Sequence, residues 1–235
     1  MGTDDFDAKR LIVEIGRRMY EKHYIASNDG NLSVRVRDGE VWATPAGVSK
    51  GFMREDDLVL LKLDGTVLSQ GEFGPSSEIK MHLRIYTENP NAMGVCHAHP
   101  VMSTSFAVAG LALSDPIYPE AMVNLGTVPC VHYETPGSQG VPDSIAPYAN
   151  SHCAVLLANH GPVTWGRTLA EAWYRMEAVE HYAQITFNTF FILGGANRLS
   201  DRQIAEVAAI REKLGLAAGP FPKGAKTDTP RSDAL

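Results

Sequence analysis

The chain has 235 residues, 44% hydrophobic and 20% charged, with 21 Lys and Arg against 27 Asp and Glu for a formal net charge of −6. That length fits one large domain or two small ones with enough apolar residues for a core. The acidic balance argues against nucleic acid or a membrane surface as partner. Three cysteines (Cys96, Cys130, Cys153) without a CxxC pair argue against a disulfide scaffold and fit a reducing cytoplasm.

The first ten residues are acidic and lack the apolar stretch of a secretory signal. The longest apolar runs, such as 187–193, fall far short of the roughly 20 residues a membrane helix needs. A soluble, cytoplasmic protein is expected. Residues 7–23 carry Leu11, Ile12, Ile15 and Met19 at helical spacing. Two hairpins follow: 32–36 turns at Asp38-Gly39 into 41–43, and 58–63 turns at Asp64-Gly65 into 66–68. Residues 76–87 predict a helix behind Pro75, with Ser76 or Ser77 as N-cap. Runs 93–99, 127–133 and 154–159 suit buried strands, and 103–109 and 144–149 short helices. A long amphipathic helix is expected over 168–193. Ser200 to Gln203 form a capping-box signature opening a last helix that Gly215 can close. No linker divides 1–216, which reads as one α/β domain, and 217–235 reads as a flexible tail.

His97-Ala98-His99 ends an apolar, strand-like run, and residues i and i+2 of a strand face the same way. By itself such a pair is as compatible with two edge histidines as with two metal ligands. His160, in Asn159-His160-Gly161, ends the run 154–158 similarly, and neighbouring strands would bring three imidazoles to one rim. Three histidines with an open fourth position describe a catalytic site that suits Zn²⁺, though Mn²⁺, Fe²⁺ or Co²⁺ fit as well. Cys96 should face away, into the core. His23, His132, His152 and His181 read as surface or satisfied core residues. His82 lies four residues after Glu78, where it either tunes that carboxylate or packs beneath it.

Ser76-Ser77-Glu78 offers two hydroxyls and free backbone N–H groups at a helix start, a ready anion seat, although an ordinary cap has the same sequence. The loops Asn28 to Asn31 and Thr44 to Val48 add small polar groups and exposed amides.

Taken together in order, SNDGNLSVR (27–35), TPAGV (44–48), PSSEIKMH (75–82), HAHP (97–100) and ANHG (158–161) resemble the class II aldolase/adducin family, of the L-fuculose-1-phosphate aldolase type. The resemblance runs from the first helix to about residue 193. It implies a single α/β domain whose largely antiparallel central sheet is flanked by helices. It also implies zinc on His97, His99 and His160, and Glu78 as the acid/base beside it. The substrate phosphate would lie on Asn31, Gly47, Ser76 and Ser77, with Ala46 where the aldolase has a hydroxyl residue. Tyr118, 12 residues before Cys130, matches a tyrosine that handles the aldehyde from a neighbouring subunit of a homotetramer with interface active sites. The aldolase's C-terminal tyrosine has no counterpart after Tyr182.

The implied activity is zinc-dependent cleavage of a ketose 1-phosphate (fuculose-, 5-deoxyribulose- or methylthioribulose-like) to dihydroxyacetone phosphate and an aldehyde. Family alternatives are a dehydratase, an epimerase, a keto-acid phosphate decarboxylase or a non-enzymatic adducin-like module. Glutamate at 78 disfavours the epimerase, which carries aspartate there, and an intact histidine set disfavours the module. No Schiff-base lysine is needed: Lys50 and Lys80 lie near the motifs without a required role.

Overall fold

Alternation along the strands sorts apolar side chains to two faces of one sheet. The computed structural model describes residues 4–37, 39–216 and 219–221. Among these residues eight strands run β1 (Asn31–Arg37), β2 (Glu40–Ala43), β3 (Val59–Lys62), β4 (Val67–Ser69), β5 (Gly94–His97), β6 (Cys130–Val131), β7 (Ala154–Leu157) and β8 (Gly161–Gly166). Their order across the sheet is β4-β3-β2-β1-β5-β8-β7-β6. Every pairing is antiparallel except β6 with β7. The sheet is therefore largely antiparallel, as expected.

Among the described residues seven α-helices flank the sheet: α1 (Asp5–Glu21), α2 (Ile79–Glu88), α3 (Val101–Val108), α4 (Pro119–Asn124), α5 (Gly140–Ile145), α6 (Leu169–Phe187) and α7 (Asp201–Lys213). On one face Val41, Leu61, Val95, Val155, Val163 and Trp165 pack with Ile85 of α2 and Ile145 of α5. On the other, Leu32, Val34 and Cys96 pack with Ile12 and Ile15 of α1 and Trp173 and Met176 of α6. Each fully buried large aliphatic or aromatic side chain contributes about 1.5–3 kcal/mol. Cys96 is thus core, as alternation demanded.

Several boundaries differ from the sequence reading. The α2 helix starts at Ile79 rather than residue 76, and its cap position is Glu78 without a side-chain cap. Pro75 is bridged to Pro45, and the Ser76 carbonyl accepts from Ile79 N at 3.1 Å, so Ser76 and Ser77 form a turn ahead of the helix. The run 127–133 is shared among partners: Val128 pairs with Leu113, Thr127 N donates to Pro220 O, and only Cys130–Val131 joins the sheet. The long helix passes into a π turn at Asn188–Ile192. The short helix expected at 144–149 begins at Gly140 and ends in a 3-10 turn, Ala146–Tyr148. Neither α4 nor β8 was anticipated. The capping box of α7 forms as read, and Gly215 follows it in the left-handed region (φ 62°).

Within the expected tail, Gly219 N donates to Leu125 O at 2.7 Å and Phe221 packs near α4 and α7. Asp38, expected in the first hairpin turn, and residues 217–218 and 222–235 lie outside the described residues. No helix among the described residues is long and apolar enough to cross a membrane.

Candidate metal centre and active site

The central strands β1, β5 and β8 bring the motifs to one end of the sheet. Asn31, first residue of β1, lies opposite His97, last residue of β5. His160 arrives by a different route from that expected. The β5 and β7 strands are not neighbours: β8 lies between them, and His160 sits in the β7–β8 turn. Asn159 takes up φ 58° in that turn, a conformation asparagine tolerates better than most residues. Gly161 follows because a Cβ there would lie 2.8 Å from Ala98 O and 2.9 Å from the His99 ring. After Pro100, Glu180 of α6 accepts from Met102 N (3.0 Å), Ser103 N (2.8 Å) and Ser103 Oγ (2.7 Å), fixing the start of α3 and the HAHP segment before it.

The three imidazoles converge. His97 Nε2 is 3.1 Å from His99 Nε2 and 3.3 Å from His160 Nε2. Tetrahedral coordination with bonds of 2.0–2.1 Å puts ligand nitrogens roughly 3.3 Å apart. The tautomers agree with this use. Nδ1 of His97 donates to the Pro162 carbonyl at 2.9 Å, and Nδ1 of His99 faces the Asp29 carboxylate at 3.4 Å, leaving each Nε2 lone pair for the common centre. Burial pushes His97 well below the usual imidazole range, and burial followed by repulsion from His160 lowers His99. Neutral imidazoles are the metal-binding form.

Glu78 completes the cluster, Oε1 being 3.1 Å from His160 Nε2 and Oε2 3.5 Å from His97 Nε2. Oε1 is buried yet makes no hydrogen bond of proper geometry. A buried carboxylate oxygen without a hydrogen bond, beside three converging imidazole nitrogens, is a donor set that fits a divalent metal. Burial alone would raise the Glu78 carboxyl, but His97, His160 and the Asn31 amide outweigh it and hold it well below the ordinary carboxylate range.

Beside this centre opens a cavity of about 290 Å³, lined by Asn31, Gly47, Ser76, Ser77, Glu78, His99 and His160 among others. Every residue expected to bind phosphate lines it. Gly47 adopts φ 72°, with nothing within 4 Å of where a Cβ would stand, so its backbone faces open space. Asn31 is only partly available: its Nδ2 donates to Glu78 Oε2 at 2.8 Å and its Oδ1 meets His82 at 2.5 Å.

Lys50, read as dispensable, lines the same cavity while only 2% exposed. Its Nζ donates to Asn28 O (2.6 Å) and Val48 O (3.0 Å), tying together two loops of the anion cradle. Burial pushes its pKa down to about 8 against the opposing pull of Asp29 and Glu78. Asp29 too had no expected role. Both were hidden because their partners are backbone carbonyls and a residue 70 positions away. Lys80 reaches Gly137 O instead, at 3.4 Å. Tyr118 does not line the cavity: it precedes α4, its ring 5.7 Å from that of His181 on α6.

The family model for the class II aldolase and adducin N-terminal domain matches residues 10–187. The chain belongs to the class II aldolase/adducin family. Among similar members, 3-oxo-tetronate 4-phosphate decarboxylase of Escherichia coli K12 is 35% identical over 180 residues, covering 75% of this chain and 84% of the relative. An L-fuculose phosphate aldolase of Methanococcus maripaludis is 31% identical over 176 residues, covering 74% of this chain and 93% of the relative. In structure, YgbL of Klebsiella pneumoniae, described only as an aldolase/epimerase/decarboxylase candidate, superposes with a TM-score of 0.81 at 30% identity, covering 88% of this chain and all of that one. Members of the class II aldolase family depend on a divalent metal, and His97, His99 and His160 lie close enough together that they could hold one.

Proposed function

We propose that this chain is a divalent-metal carbon–carbon lyase acting on a phosphorylated α-hydroxy ketone, with decarboxylation of a 3-oxo acid 4-phosphate as its favoured reaction and dihydroxyacetone phosphate as product. The observation that carries this reading is the meeting of three imidazoles and one carboxylate beside a single cavity lined by small polar groups.

A metal on His97, His99 and His160, zinc by preference, supplies Lewis acidity toward the ketone and hydroxyl oxygens of the substrate. Glu78, held ionised, takes the proton of the hydroxyl next to the ketone. When the adjacent carbon–carbon bond breaks and CO₂ leaves, its electron pair remains as an enediolate; Glu78 returns its proton to carbon, and one proton from solvent, which decarboxylation of a carboxylate consumes, restores the hydroxyl. Gly47, Ser76, Ser77 and Asn31 hold the phosphate and contribute orientation remote from the reacting bond.

Loss of CO₂ needs no base for a second hydroxyl, and no tyrosine lines the cavity among the described residues. That, and the identity to the decarboxylases, favours decarboxylation. The aldolase expected from the sequence is the second reading, supported by the aldolase relatives and by Tyr118 if a neighbouring copy delivers it. Exposed Val101, Val108 and Leu111 support a subunit contact of a homotetramer. Cytoplasmic location remains part of the same reading.

The test is to incubate the metal-loaded protein with 3-oxo-tetronate 4-phosphate and measure CO₂ and dihydroxyacetone phosphate together. Equal yields are expected. A carbon–carbon bonded product from dihydroxyacetone phosphate and an aldehyde panel, without CO₂ release, would select the aldolase, and neither activity would sink both readings.

Lys50 gives this reading a pH signature. A phosphate monoester is already a dianion above about pH 7, so a change in affinity at higher pH reports the protein. Lys50 is charged below about 8 and neutral above it, so KM for the phosphorylated substrate should rise as pH climbs through that value. Lys50→Met should raise KM at pH 7 by about 10–150-fold, the worth of one charged hydrogen bond at about 1.5–3 kcal/mol, and flatten the pH dependence. Steady-state kinetics between about pH 7 and 9 decides; a pH-independent KM in the native protein argues against a role for Lys50.

A further inference from the structure

Glu78 is not held by Asn31 alone. Behind Asn31 lies a line of buried polar groups between β1 and α2: His82 and Ser33, both 0% exposed, and Tyr86, 1% exposed. His82 Nε2 meets Asn31 Oδ1 at 2.5 Å, and His82 Nδ1 meets Ser33 Oγ at 2.7 Å. Ser33 Oγ in turn lies 2.8 Å from the Tyr86 hydroxyl, which is also 3.0 Å from the Ser33 carbonyl. Ser33 occupies this position because alternation along β1 turns Leu32 and Val34 to the α1–α6 side and Ser33 to the α2 side.

The donor directions follow from chemistry. The Glu78 carboxylate can only accept, so Asn31 presents its NH₂ to it and its carbonyl to His82. His82 Nε2 must then carry the proton. Burial pushes the His82 pKa down to about 3, so the ring is neutral and Nδ1 accepts from Ser33 O–H. Ser33 has then spent its proton and accepts from Tyr86, whose single O–H is shared between Ser33 Oγ and the Ser33 carbonyl. The side-chain hydrogen bonds run the same way, from Tyr86 to Ser33 to His82 to Asn31 to Glu78, and bonds aligned in this way strengthen one another in a low-dielectric interior.

We propose that His82, backed by Ser33 and Tyr86, is a positioning residue that fixes the amide of Asn31 and thereby the carboxylate of Glu78. This rests on Glu78 being the acid/base of the proposed lyase. If His82 held the opposite tautomer, the Asn31 amide would flip and present its oxygen to the carboxylate, pushing Glu78 off the imidazoles. A misplacement on the order of 1 Å costs about 10²-fold in rate.

Two experiments test this. Long-range ¹H–¹⁵N spectra of the full chain should show His82 as the neutral Nε2–H tautomer, and this readout needs neither substrate nor activity. A ring protonated at Nδ1 overturns the proposal. In the metal-loaded enzyme, His82→Leu should lower kcat by about 10–100-fold with metal content near that of the native enzyme, while His82→Gln, which can still donate to Asn31, should recover most of the loss. Combined with Asn31→Ala, His82→Leu should have almost no additional effect, because it acts through Asn31. Additive losses, or an unchanged kcat in His82→Leu, refute the positioning role. An active Glu78→Gln enzyme would instead refute the lyase reading beneath it.

Discussion

Glu78→Gln should lose turnover by about 10²–10⁴-fold, the usual worth of a group that moves a proton in the transition state. The amide keeps the size of the carboxylate and can still accept from Asn31 Nδ2, now 2.8 Å from Oε2, so the turn at residues 75–78 and the helix behind it should persist. What disappears is the ability to accept a proton from the substrate hydroxyl and hand it to carbon. Metal content by elemental analysis should stay at the native level, since the three imidazoles are untouched. Turnover within a few fold of the native enzyme would remove Glu78 from the chemistry, whatever its distance from the histidines.

His97→Ala should cost the protein its metal. His97 is the middle member of the cluster, 3.1 Å and 3.3 Å from the Nε2 atoms of His99 and His160, and its loss leaves only two imidazoles. Removing an outer partner of a metal ligand typically costs 10–100-fold in affinity, and removing the ligand itself should exceed that. Chelator competition on the purified variant measures the loss, and circular dichroism checks that the fold survives a small cavity at a fully buried position. His132→Ala, at an exposed site beside Glu134, should retain its full complement. Equal metal content in the two variants would refute the three-histidine assignment.

The sequence showed much of this site because its parts are short and local. HAHP, ANHG and PSSE are each ambiguous alone but specific together and in order, and the hairpins around Gly39 and Gly65 announce themselves through turn chemistry and alternation. What it did not show depends on distant partners. Lys50 is chemically silent in the sequence because its acceptors are the backbone carbonyls of Asn28 and Val48. His82 was seen near Glu78 at i,i+4 but works through Asn31, 51 positions away. The β8 strand was missed since Gly161-Pro-Val-Thr-Trp-Gly has glycine at both ends and a proline inside, a pattern that reads as a loop. The late start of α2 was missed because the bridge between Pro45 and Pro75 joins two segments 30 residues apart.

The bond from His97 Nδ1 to the Pro162 carbonyl ties one ligand's orientation to the alignment of β5 with β8, in which His97 stands opposite Val163. A slip of one residue between these strands would turn that carbonyl away and carry His160 off its mark, since strand neighbours alternate in direction. At the proposed metal site, affinity for the cation would therefore be a gauge of sheet alignment: a titration that reports on chemistry would also read, to a single residue, whether the middle of the sheet has been assembled in step.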